Sequence, residues 1–118
     1  MRALAIGLAL TLAGTAQAQD RSATHGAAVY ARWCAPCHGA KRIGTRWALP
    51  ATASLEVKYK GAKPAPLEQR TDLPAPLLKA FVRGGSQSMP AFRKTEVSDA
   101  DIEAVAAYLA QTSARPGR

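Results

Sequence analysis

Apolar positions recur at helical spacing near the end of the chain, where Ile102, Val105, Ala106 and Leu109 stand at i, i+3, i+4 and i+7 with Tyr108 beside them. Ser98 ahead of this run suits an N-cap, and Asp101 three residues on occupies a capping-box position. Asp99 and Glu103 favour the positive end of the same helix, which the pattern predicts from about Asp99 to Gln111. A second apolar face, Leu77, Leu78, Phe81 and Val82, predicts a helix over Pro76 to Arg83, with Pro76 in its first turn and Gly84 as its stop. Ala27, Ala28, Val29, Tyr30 and Ala31 favour a third helix, from about Thr24 to Trp33, with Ser22 or Thr24 as its cap.

From Gly39 to Thr71 the pattern breaks up. Gly44, Pro50, Gly61, Pro64 and Pro66 divide this stretch into loops around one short helix, Thr52 to Tyr59. No segment alternates convincingly enough to read as a strand. The expected fold is therefore all-α, three to four helices joined by long loops.

The N-terminus changes the picture. Met1-Arg2 is a short basic start, Ala3 to Gly14 is an uncharged apolar run, and Ala16-Gln17-Ala18 supplies small residues around a cleavage site. Residues 1–18 read as an export signal, cleaved to leave a domain of residues 19–118 with Gln19 first. The apolar run is short for a bilayer span, and no other long one exists, so stable membrane insertion after cleavage is not expected. A periplasmic or otherwise oxidising compartment follows.

The formal net charge is +8, and removal of Arg2 leaves +7. With an export signal in place, nucleic acid is a poor candidate for the partner of this basic surface; an acidic protein met by electrostatic steering fits better. A domain of this size has a thin stability margin, and two phenylalanines, three tyrosines and two tryptophans give it little core material. A large flat apolar cofactor would supply what is missing.

Cys34-Ala35-Pro36-Cys37-His38 identifies such a cofactor. Two thiols three positions apart can each add to one vinyl group on a porphyrin edge, and the next histidine is then held beneath the iron. The competing readings are a thioredoxin-like thiol pair, half of a zinc site and a simple disulfide. Zinc needs four ligands and only His25 remains as a nitrogen donor. The βαβ setting of a thioredoxin motif is absent. His25 itself reads as an exposed residue near the helix start. One haem c, bound covalently through Cys34 and Cys37 with His38 as axial ligand, is the expected cofactor.

The sixth ligand decides what such a centre does. Met89 is the sole methionine left after signal removal; a Gly84-Gly85-Ser86-Gln87-Ser88 loop precedes it and Pro90 follows. Proline disfavours the α region at Met89 and offers no N–H, which favours an extended turn with the thioether projecting inward. With His38 and Met89 both on the iron, substrate is excluded and one-electron transfer remains. The alternative is a catalytic or ligand-sensing haem protein in which Met89 is displaced. A proximal histidine needs a carbonyl to orient its other ring N–H, and Pro50 is the candidate.

In this order (helix, Cys-x-x-Cys-His, loops, helix, Met-Pro, amphipathic helix) the chain resembles the class I c-type cytochromes. That resemblance implies a cytochrome c fold around one haem, and an electron carrier that is not itself an enzyme. It also implies that the first and last helices cross at Gly26, with Tyr30 and Tyr108 at the contact.

A narrower likeness rests on Leu55 to Gly61, Glu68 to Leu73 and Met89 to Glu96. These stretches are similar to the cytochrome subunits of p-cresol methylhydroxylase and eugenol hydroxylase flavocytochromes. The likeness implies a redox protein partner of the periplasmic flavoprotein dehydrogenase kind. Tyr59, Arg70 and Trp47 are candidates to bind the haem propionates, which need polar partners when buried. Lys41, Arg42, Lys79, Arg83, Arg93 and Lys94 are candidates for a docking surface.

Overall fold

Helix α1 runs without a break from Leu4 to Trp33 and delivers the chain into the Cys motif. The computed structural model describes residues 4–115, with side-chain surroundings from residue 16 onward; Met1 and Arg2, the basic start of the expected export signal, lie outside them. The helix begins twenty residues earlier than the apolar pattern indicated, and Thr24 does not cap it. Its hydroxyl instead donates back to the Asp20 carbonyl at 2.9 Å, one helical turn earlier. No proline interrupts the stretch from Ala16 to Thr24, and its residues are compatible with a helix.

Six further elements follow among the described residues. They are α2 (Ala35–His38), a two-stranded hairpin of β1 (Arg42–Ile43) and β2 (Arg46–Trp47), α3 (Pro50–Tyr59), α4 (Ala75–Gly84) and α5 (Asp99–Ser113). A single 3-10 turn, Leu67–Gln69, lies between α3 and α4. The fold is all-α apart from the hairpin. Strands of two residues are too short to leave an alternating signature, which is why the pattern did not reveal them. Gly44, at φ 59°, makes the turn between them.

The end of α5 extends to Ser113, and its start is as the sequence indicated. Ser98 Oγ accepts from the Asp101 N–H at 3.0 Å while Asp101 Oδ2 accepts from the Ser98 N–H at 2.9 Å, a complete capping box. Helix α5 packs against α1, α4 and the 3-10 turn. The core lies along these contacts: Tyr30, Leu78, Val97, Ile102, Val105 and Leu109 are buried together. At the α1–α5 crossing, as the resemblance implied, Gly26 is buried and the Tyr30 and Tyr108 rings lie 5.3 Å apart.

Candidate haem site

The motif sits where α1 ends. The amides of Cys34, Cys37 and His38 bond to carbonyls one turn earlier or less, so both cysteines and the histidine ride on a continuation of the helical chain. Cys34 is half-buried, Cys37 is exposed, and neither is in a disulfide. Burial pushes the Cys34 thiol up to about 11. Reactive thiol pairs depend on a lowered pKa, and the shift at Cys34 runs in the opposite direction.

Two side chains support the motif from behind. Tyr30 Oη donates to the His38 carbonyl at 3.3 Å, and burial pushes its phenol well above the usual range. Thr52, fully buried on α3, directs its hydroxyl at the carbonyls of Gly39 (2.9 Å) and Cys37 (3.3 Å). Glu68, on the 3-10 turn, has its carboxyl raised by partial burial, and its Oε2 is buried with no hydrogen-bond partner. Sequence reasoning did not identify Thr52 or Glu68 as site residues. The only available signal for Thr52 was a small hydroxyl residue in the first turn of the short helix that follows the motif and its hairpin.

Burial lowers the pKa of His38 and so favours the neutral imidazole. Its Nδ1 is buried with no hydrogen-bond partner. The expected bond to Pro50 is not formed. Pro50 opens α3, and its carbonyl points along that helix to accept from Ser54 Oγ at 2.9 Å.

Met89 lies half-buried in a tight turn that closes through Ser86 N–H to Met89 O (3.1 Å) and Met89 N–H to Ser86 O (2.9 Å). Gly85, at φ 67°, is required there: a β-carbon on it would stand 2.8 Å from the Met89 carbonyl oxygen. Beyond the turn, Phe92 donates its N–H to Val82 O at 2.8 Å and sets its ring edge-on to Trp33, centroids 5.8 Å apart. Trp33 immediately precedes Cys34. The methionine loop is thus packed onto the residue that leads into the motif.

Of the three propionate candidates, the structure brings two together. Arg70 is buried with its guanidinium 5.0 Å from the Tyr59 ring centroid, and it forks onto Asp72 through Nε–Oδ1 (2.7 Å) and Nη2–Oδ2 (2.8 Å). Trp47 stands apart, on the hairpin, donating to Glu56 Oε2 at 3.3 Å under the guanidinium of Arg42.

The residues present fit a haem. Two unpaired cysteines, a neutral histidine with an orphaned ring nitrogen and a thioether on a loop packed beside them form the right donor set. Leu77 and Phe81 on α4 leave an apolar surface exposed for a large apolar group to cover. Among the described residues, no group of three or more His, Cys, Asp or Glu converges as a site for a free metal ion. No helix of the described residues is long and apolar enough to cross a membrane.

The fold and the motif together define a c-type cytochrome domain carrying one haem c attached covalently through Cys34 and Cys37. The family model described as cytochrome c oxidase, cbb3-type, subunit III matches residues 21–109, and the chain belongs to that family. The matched stretch takes in the Cys motif, Met89 and most of α5. Neither a curated protein nor a solved structure matches the chain.

Proposed function

We propose that this protein is an exported monohaem electron carrier, with His38 and Met89 as axial ligands, and is not itself an enzyme. The observation that carries the reading is the packing of Phe92, three residues after Met89, against Trp33, the residue before Cys34. It gives the methionine loop a fixed attachment to the motif. The haem supplies the one-electron couple.

The protein's own residues hold that couple closed. Tyr30 and Thr52 fix the carbonyls of Cys37, His38 and Gly39, which orients the histidine. A methionine in the sixth position keeps substrates off the metal, and its soft neutral sulfur favours the reduced state. Residues 1–18 act as a cleaved export signal that delivers the chain to the periplasm, where residues 19–118 form the carrier domain. Tyr59 and Arg70 contribute to the propionate surroundings, with Trp47 on the neighbouring hairpin.

The electron donor in this reading is a periplasmic flavoprotein dehydrogenase or hydroxylase, on the likeness of three sequence stretches to flavocytochrome subunits. The family description, which names an oxidase subunit, supports an oxidase as the acceptor. An absorption spectrum of the exported protein in both oxidation states tests the core of the proposal. The ferric form should show the weak red charge-transfer band of methionine-ligated haem, and Met89→Ala should lose it while the covalent haem remains. Tight carbon monoxide binding by the reduced wild-type protein at neutral pH would instead favour the ligand-binding alternative.

A further inference from the structure

The cations named from sequence as a docking surface divide into two groups. Lys79, Arg83 and Lys94 all converge on Asp99, and Arg93 pairs with Glu96, so α4 and the segment after Met89 use their charge internally. Lys41, Arg42 and Arg46 on the hairpin, and Lys58 and Lys60 at the end of α3, pair with no carboxylate among the described residues. Strand β2 packs on α3, which brings the two sets together. Glu56 is the one acid on these elements, and Trp47 Nε1 engages it.

Two features give this face a defined shape. The Arg42 guanidinium carbon stands 3.6 Å from the Trp47 ring centroid, and Ile43 pairs with Arg46 across the hairpin. Ile43 is 72% exposed and Val57 on α3 is 74% exposed, the two most open large apolar side chains among the described residues. Single exposed aliphatics are common, but here both lie among uncompensated cations. The face is also built onto the haem motif: β1 begins four residues after His38, and Thr52 of α3 bonds the Cys37 carbonyl.

We propose that the hairpin and the C-terminal half of α3 form the docking surface for an acidic redox protein. The inference rests on the electron-carrier reading and names where the partner sits. A haem held by Cys34, Cys37 and His38 would accept one electron from the partner's reduced centre, which would be oxidised, with no bond made or broken. The uncompensated charge calls for an acidic surface, and Ile43 and Val57 supply an apolar contact within it. A lipid surface is the poorer match, because the exposed side of α3 carries only Val57 among polar residues and lacks a face that could insert.

Stopped-flow reduction of the haem-loaded protein by reduced flavodoxin, an acidic one-electron donor protein, provides the test. Arg46→Glu/Lys58→Glu is compared with Arg93→Glu/Lys94→Glu, which changes the net charge equally in the segment after Met89. At low ionic strength the first pair should slow reduction about tenfold and flatten its salt dependence, and the second should slow it less than about threefold. Ile43→Ser should slow it without altering the salt dependence. Equal slowing by both double variants would overturn the proposal, since net charge alone would then govern the encounter.

Co-sedimentation with phosphatidylglycerol vesicles supplies the second readout. Vesicle binding that only the hairpin variant loses, with equal flavodoxin rates, would make this a lipid-binding face and overturn the protein-docking claim. Failure of the electron-carrier reading itself looks different: the wild-type protein would then not titrate reversibly with one electron at all.

Discussion

Gly26 meets Ala104 backbone to backbone: a β-carbon placed on Gly26 would lie 1.9 Å from the Ala104 carbonyl oxygen and 2.9 Å from the Val105 nitrogen. The obstacle is main chain of a capped helix, which has no rotamer through which to yield. Gly26→Ala gains up to about 1 kcal/mol of helix propensity. It must also push α5 away from α1, separating Tyr30 from Tyr108, and overpacking of this kind costs about 3 kcal/mol or more. The expected result is a net loss of at least about 2 kcal/mol in denaturant unfolding of the haem-loaded protein. A midpoint unchanged from wild type would mean the helices do not cross in contact here.

Thr52 makes a second test possible. Its hydroxyl is the one side-chain donor to the carbonyls of Gly39 and Cys37 among the described residues. Thr52→Val keeps the shape and removes the donor, leaving the buried Gly39 carbonyl and the part-buried Cys37 carbonyl without it. The expected cost is about 1–3 kcal/mol. Thr52→Ser keeps the hydroxyl and should recover most of it. If valine and serine behave alike in urea unfolding, packing and not the hydrogen bonds fixes α3 beneath the motif.

Much of this site was legible because its signals are local. The Cys-x-x-Cys-His spacing, the Met-Pro dipeptide and the Ser98–Asp101 capping box each lie within a few residues of chain, and the capping box appears in the structure as expected. What escaped was non-local. Thr52 meets Cys37 across fifteen positions, Arg83 meets Val97 across fourteen, and Trp33 meets Phe92 across fifty-nine. No periodicity encodes those encounters. The internal pairing within the basic docking set was hidden for the same reason: charge counts do not say that Lys79, Arg83 and Lys94 share one aspartate.

Acid should weaken the protein through Asp72. Hydrogen bonds first from Arg70 and then from Lys63 hold its carboxyl well below the usual carboxylate range. A depressed folded-state pKa contributes stability that is present above the unfolded value, near 4, and lost as pH falls below it toward the folded value. Asp72→Asn should therefore flatten the acid side of the stability curve.

The same variant should lower stability at pH 7 by about 2 kcal/mol, because buried Arg70 loses its partner. The figure is less than for a fully buried pair because the Asp72 side chain is 39% exposed and water screens it. Asp99, held low by Lys79 and Arg83, titrates in the same window, so the acid dependence narrows without vanishing. Guanidinium midpoints measured from pH 3 to 7 check this. An acid limb as steep as wild type would remove Asp72 from the account.

Arg83 should control how firmly Met89 is presented. One guanidinium nitrogen, Nη1, donates to the Phe92 carbonyl at 3.1 Å, while Nη2 reaches both the Val97 carbonyl at 2.8 Å and Asp99 Oδ1 at 2.7 Å. A single side chain of α4 thus ties down the segment between Met89 and α5 at two carbonyls and anchors it to the start of α5. Arg83→Met keeps the length and removes every donor, for an expected loss of about 3 kcal/mol from the charge-assisted bonds to the carbonyls. Arg83→Lys keeps the charge but cannot fork to both carbonyls, so it should fall between wild type and Arg83→Met. Neither change touches the Cys motif, and the covalent haem spectrum should persist in both. The discriminating measurement is thermal: in Arg83→Met the red methionine–iron band should bleach at a lower temperature than the helical circular dichroism, because the loop opens before the α1–α5 core. If band and helix are lost together at the wild-type temperature, Arg83 does not hold the loop and its bonds are incidental to ligation.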